Sequence, residues 1–91
     1  MICNTGDVSY LRRKDLSMKA KGLLTFLLTL PEDYPLHKTK LKKYFKDGQS
    51  AINSAFDELM MNGYIIGHKT RVKGHIDYDY DVCDKPYGRK N

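Results

Sequence analysis

The sequence predicts an α+β domain, and three observations carry that expectation. Apolar residues recur at helical spacing in two stretches, residues 20–28 and 52–59. A Lys46-Asp47-Gly48 turn joins the second of these to a short lysine-rich segment. After Gly63 the apolar period falls to two, the mark of extended strands.

Size and composition bound the rest. A chain of 91 residues buries roughly 60–65% of its unfolded surface, enough for one core. Hydrophobic content of 41%, with seven Tyr and three Phe, suits a folded chain and not a disordered one. No apolar run approaches the ~20 residues of a membrane span. The run 22–28 follows Lys19 and Lys21 but starts too late for a signal peptide and ends in Pro31-Glu32-Asp33 without a cleavage site. Cys3 and Cys83 lie near opposite ends; one disulfide is possible in principle, but a lone pair this far apart is no secreted framework, so they read as incidental thiols in a reducing cytoplasm. A domain this small is not expected to enclose a deep catalytic pocket, so an enzyme is not expected.

The net charge is +5, and it is unevenly placed. Residues 1–48 carry ten Lys/Arg and five acids, whereas residues 49–91 carry six of each. The densest part, residues 36–46, holds five lysines and no acid. A basic module of this kind favours an anionic partner, nucleic acid first.

Residues 1–8 show no helical period and are expected as an N-terminal arm or a short strand. Residues 9–14 suit a short helical turn carrying Tyr10 and Leu11. Ser17 is a good N-cap. From it Ala20, Leu23, Leu24, Leu27 and Leu28 follow the spacing of one buried helix face. Pro31 ends that helix, because the residue before proline is pushed out of the α region. Gly22 costs roughly 1 kcal/mol against Ala there and would be explained by a close backbone neighbour. After the loop 31–35, Leu41, Tyr44 and Phe45 make the apolar stripe of a short helix whose remaining face is lysine.

The third helix buries Ile52, Ala55, Phe56 and Leu59. Asn62-Gly63-Tyr64 ends it in a Schellman arrangement, with Tyr64 packing back on Leu59. In the final strand Ile76, Tyr78, Tyr80 and Val82 alternate with His75, Asp77, Asp79 and Asp81. Keeping Tyr64, Ile66, His68 and Thr70 on the inner face of the strand before it requires a three-residue loop, Val72-Lys73-Gly74, with a G1 bulge. That register pairs Arg71 with His75, Lys69 with Asp77, Ile66 with Tyr80 and Tyr64 with Val82. Residues 83–91 read as a loose tail, leaving 9–82 as the folded domain.

This layout is a winged helix-turn-helix: a three-helix core with a C-terminal β-hairpin wing. A helix about 10–12 Å across fits the DNA major groove, and flanking lysines grip phosphates. The string Asp15-Leu16-Ser17-Met18-Lys19-Ala20-Lys21-Gly22-Leu23-Leu24, with Pro31-Glu32-Asp33-Tyr34, Lys46-Asp47-Gly48-Gln49-Ser50-Ala51-Ile52 and Glu58-Leu59…Asn62-Gly63-Tyr64-Ile65, resembles the N-terminal winged-helix domain of phage and plasmid replication proteins of the DnaD type. The resemblance covers roughly residues 9–82. It implies binding to double-stranded DNA in replication initiation or transcriptional control of a mobile element, with a homodimer or a replication protein as further partner.

On that reading Gln49, Ser50, Asn53, Ser54 and Asp57 face the bases, Gln and Asn being suited to adenine. Lys38, Lys40, Lys42, Lys43 and Lys46 supply charge to the backbone, and Lys69, Arg71, Lys73 and His75 form the wing. The competing expectation is a protein-interaction module using Met18, Met60, Met61 and Phe26. No cofactor is expected. The three strand aspartates read as neutralised across the strands rather than as a cation site, and His37, His68 and His75 lack zinc spacing with Cys3 or Cys83.

Overall fold

The computed structural model of the chain describes residues 1–86, apart from the side chains of Thr70, Val72 and Asp77. In chain order it contains β1 (Ile2–Cys3), a 3-10 turn at Ser9–Arg12, α1 (Met18–Leu27), a 3-10 segment at Lys38–Tyr44, α2 (Gln49–Met61), β2 (Ile65–Val72) and β3 (His75–Cys83). The strands form one mixed sheet in the order β1-β3-β2, with β1 parallel and β2 antiparallel to β3. The architecture is α+β, with one core shared by the helices and the sheet.

Ser17 caps α1 as its sequence position predicts, its Oγ accepting from the Ala20 amide at 3.2 Å. A second layer comes from α2. The Glu58 carboxylate accepts from the Ser17 amide at 2.6 Å and from its hydroxyl at 2.7 Å, so the start of one helix is tied to the last turns of the other. Ala20, Leu23, Leu24 and Leu27 are buried and meet Ile52, Ala55, Phe56 and Leu59 in the core. Each fully buried Leu, Ile or Phe contributes about 1.5–3 kcal/mol. Gly22 has no close backbone neighbour: a Cβ built there meets nothing within 4 Å. It opens onto a cleft of about 200 Å³ lined by Leu23, Ala51, Ile52 and Ala55.

The lysine-rich segment differs from the expected α-helix. Residues Lys38–Tyr44 form 3-10 turns, and His37 at their start offers no side-chain cap. Seven residues without a cap cannot repay α-helix nucleation, and like charges at i, i+4 (Lys38 and Lys42) oppose it further. Leu41 anchors the segment in the core, while Phe26 holds its end through Tyr44 at 5.0 Å and Phe45 at 5.1 Å between ring centroids. Helix α2 ends as expected. The Tyr64 amide donates to the Leu59 carbonyl and the Gly63 amide to Met60, with Gly63 at φ +83°.

The hairpin register corrects the sequence expectation by one residue. Val72 pairs with His75 across a two-residue Lys73-Gly74 turn, and Ile65, not Tyr64, stands opposite Val82. Both turn residues have positive φ, +50° for Lys73 and +82° for Gly74, as the tight hairpin turn matching strand twist requires. The cause of the slip lies at the start of β2. Tyr64 and Ile65 are both buried, the first by the helix end and the second by the sheet. The strand's alternation therefore starts from Ile65.

Within residues 1–8 the short strand forms, and Cys83 and Asp84, expected in the tail, are buried. Ile2 is buried and pairs with Val82, and Cys3 pairs with Cys83. Asp84 is 1% exposed. Its carboxylate accepts from the Thr5 amide at 2.8 Å, the Thr5 hydroxyl at 2.9 Å and the Asp7 amide at 3.0 Å. Burial alone would raise its pKa, but these donors hold it below the ordinary carboxylate value. Residues 87–91 of the expected tail lie outside the described residues.

Candidate nucleic-acid interface

Helix α2 presents the five expected base-facing residues along its solvent side: Ser50, Asn53, Ser54 and Asp57 are exposed and Gln49 is half-buried. They are held by one another and by neighbouring elements. Gln49 Nε2 donates to Asn53 Oδ1 at 2.9 Å and reaches the Lys38 carbonyl at 3.4 Å, linking the start of α2 to the 3-10 segment. Lys19 of α1 donates to Ser54 Oγ at 2.9 Å. Lys38 Nζ stands 4.0 Å from Asp57 Oδ1 and 5.2 Å from the centroid of the Phe56 ring. The Asp57 carboxylate, which alone would repel phosphate, thus lies beside a cation. The separation is long and Asp57 is exposed, so the pair contributes little to stability.

The other expected phosphate-facing lysines divide by location. Lys40, Lys42, Lys43 and Lys46 are exposed, with Lys43 Nζ 5.2 Å from the Tyr44 ring centroid. Lys38 is the exception, half-buried and turned over Phe56.

The corrected register reorganises the hairpin. Directly paired residues of an antiparallel ladder share a face, so one face carries Arg71 with Ile76, Lys69 with Tyr78, and Gly67 with Tyr80. Tyr80 packs edge-on against Phe56 of α2, at 4.9 Å between ring centroids. That face therefore continues from the core contact with α2 out to a tip where Tyr78 and Ile76 are about half exposed, at 53% and 51%. Lys69 is not opposite Asp77; Thr70 takes that position in the ladder. His75, expected to act with Lys69 and Arg71, falls on the opposite face, together with His68, Asp79 and Asp81. There His68 Nε2 meets Asp81 Oδ2 at 2.7 Å. Despite some burial, that contact and the amino group of Met1 hold the Asp81 pKa below its ordinary value. The hairpin thus has one basic and aromatic face and one carrying the acids. Lys73 sits at the tip between them.

Two contributors were missed from sequence. Tyr78 lies on the strand face of Tyr80 and Val82, as the alternation predicts, but beyond the reach of the core; it is exposed, and the two-residue turn sets it beside Lys69. Lys19 reaches across to α2 from a helix read only for its apolar face. Arg13, part of the basic first half, is instead a structural cation. It pairs with Asp15, donates to Tyr64 Oη at 3.0 Å and Asn62 Oδ1 at 3.1 Å, and lies 5.5 Å from the Tyr64 ring centroid. Its pKa is raised, chiefly by Asp15 and then by Tyr64.

Fold and site together define a small basic α+β domain with a polar helix face flanked by lysines and a two-faced hairpin. No protein-family model, no curated protein and no solved structure matches the chain. Among the described residues no helix is long and apolar enough to cross a membrane. Among the same residues no group of three or more His, Cys, Asp or Glu is placed to hold a metal ion.

Proposed function

We propose that this chain is a winged helix-turn-helix domain that binds double-stranded DNA, in replication initiation or transcriptional control of a phage, plasmid or other mobile element. One observation carries the reading. The register sets Lys69 and Arg71 beside exposed Tyr78 and Ile76, on the face whose Tyr80 packs against α2. This arrangement supports a wing that grips phosphates beside an α2 inserted in the major groove. Gln49 and Asn53 supply amide edges for adenine, and exposed Lys40, Lys42, Lys43 and Lys46 supply backbone charge. The resemblance of residues 9–82 to DnaD-type replication proteins supports the assignment to replication.

Fluorescence anisotropy with a pooled duplex library tests the proposal. Six phosphate contacts, from those four lysines with Lys69 and Arg71, give a slope of log K against log salt of about −5. No binding at low salt overturns it.

A second reading, a protein-interaction module in a replication complex without direct DNA contact, is favoured by Met18 and Met61. They are 89% and 88% exposed and lie within three residues of the Ser17–Glu58 junction. Sedimentation showing a stable dimer or tetramer, together with no duplex binding at low salt, selects that reading.

A further inference from the structure

Residues 3 and 83 are the two cysteines of the chain, and nothing in the sequence itself brings them together. The parallel pairing of β1 with β3 makes them direct register partners. Adjacent strands lie about 4.7–4.9 Å apart, inside the 4.4–6.8 Å window of Cα separations that a disulfide spans. The neighbouring register pair, Ile2 with Val82, is buried in the core, so strand alternation turns both sulfurs to the other side of the sheet, together. Both residues are free thiols, Cys83 buried and Cys3 half-buried. Cys83 Sγ donates to the Asp84 carboxylate at 3.6 Å, which fixes its direction. Burial raises the Cys83 pKa, and the adjacent Cys3 thiol adds to the rise.

We propose that Cys3 and Cys83 form a dithiol that closes to an intramolecular disulfide by exchange with a low-molecular-weight disulfide, clamping the N-terminal segment onto the sheet. The more accessible Cys3 reacts first. Its thiolate attacks one sulfur of the small disulfide, forms a mixed disulfide and expels one small thiol. Cys83, losing its proton to solvent, then attacks the Cys3 sulfur and expels the second small thiol. One disulfide is reduced to two thiols while the protein dithiol is oxidised to one disulfide, so no further oxidant is needed. The cross-link closes nearly the whole chain into one loop, the case in which restricting the unfolded chain has its largest effect. It also adds a covalent tie to a short strand already held by its ladder bonds, the burial of Ile2 and the Asp84 contacts with Thr5 and Asp7.

The test uses the full chain, folded, incubated with glutathione disulfide and followed by intact mass, thiol titration and thermal unfolding. The expected product is a monomer that has lost both thiols and carries no glutathione adduct. Its Tm is expected to lie about 10 °C or more above that of the reduced chain. Cys83→Ser should stop at a glutathione adduct on Cys3, with no rise in Tm. Closure should also be faster in the folded chain than in denaturant, because only the fold aligns the two sulfurs. Persistence of both thiols, a wild-type product that stops at adducts, or closure no faster in the folded chain than in denaturant overturns the proposal.

Discussion

Replacing Asp84 by Ala removes a carboxylate that is 1% exposed and accepts from the Thr5 amide, the Thr5 hydroxyl and the Asp7 amide. Hydrogen bonds to a charged acceptor are worth about 1.5–3 kcal/mol each, less where the donors regain water. Since Thr5 is exposed and Asp7 half-buried, about 1 kcal/mol per bond is the appropriate scale, giving about 3 kcal/mol in all. For a domain whose total stability is about 5–10 kcal/mol, that is a Tm decrease of about 12–20 °C. Asp84→Asn keeps the shape but turns an amide toward one set of donors, at a cost of about 2 kcal/mol. Urea denaturation followed by circular dichroism measures both. The pH dependence has a definite sign. The folded-state pKa of Asp84 is lowered, so its contribution is fully present above the unfolded value of about 3.9 and is lost as pH falls below it toward the folded pKa. The difference between wild type and Asp84→Asn should therefore be level from about pH 5 to 7 and shrink below about pH 4. An Asp84→Ala variant within about 0.5 kcal/mol of wild type at neutral pH refutes the assignment of this carboxylate as the anchor of the N-terminal segment.

Three further outcomes follow from the same geometry. Lys69→Ala combined with Arg71→Ala should weaken duplex binding for all sequences alike and make the salt slope shallower by about 2, read by anisotropy; unchanged slopes remove the hairpin from the interface. Gly22→Ala should raise stability by about 0.5–1 kcal/mol in urea melts, because a Cβ there meets open space in a right-handed helix. Glu58→Ala and Ser17→Ala, taken as a double-mutant cycle, should show a coupling of about 1–2 kcal/mol, and additive effects contradict the joint cap.

The helices were legible because their signals are local. Ser17 before an apolar stripe and Gly63 after one are steric and hydrogen-bonding statements about adjacent residues, and both helix ends lie where those residues put them. The lysine-rich segment was legible as a segment but not as 3-10 turns. Its anchor, Leu41, is set by the core, and its lack of a cap leaves the backbone free to tighten. Periodicity alone misplaces the hairpin register, because the burial of Tyr64 belongs to the helix end rather than to the strand. One residue of phase moves Lys69 from beside Asp77 to beside Tyr78, and Arg71 from beside His75 to beside Ile76.

By itself the sequence determined the α+β composition, the two α-helices with their caps and buried faces, and the concentration of lysine before α2. These follow from side-chain spacing and local backbone preference, which act within a few residues. Only the tertiary structure decided the hairpin register, the Glu58 hold on Ser17, the burial of Asp84, and the meeting of Cys3 with Cys83. Each of these joins residues from 41 to 80 positions apart or is selected by which of two neighbours the core buries. Such choices are made by packing and by the need to satisfy buried polar groups, and no local pattern along the chain encodes them.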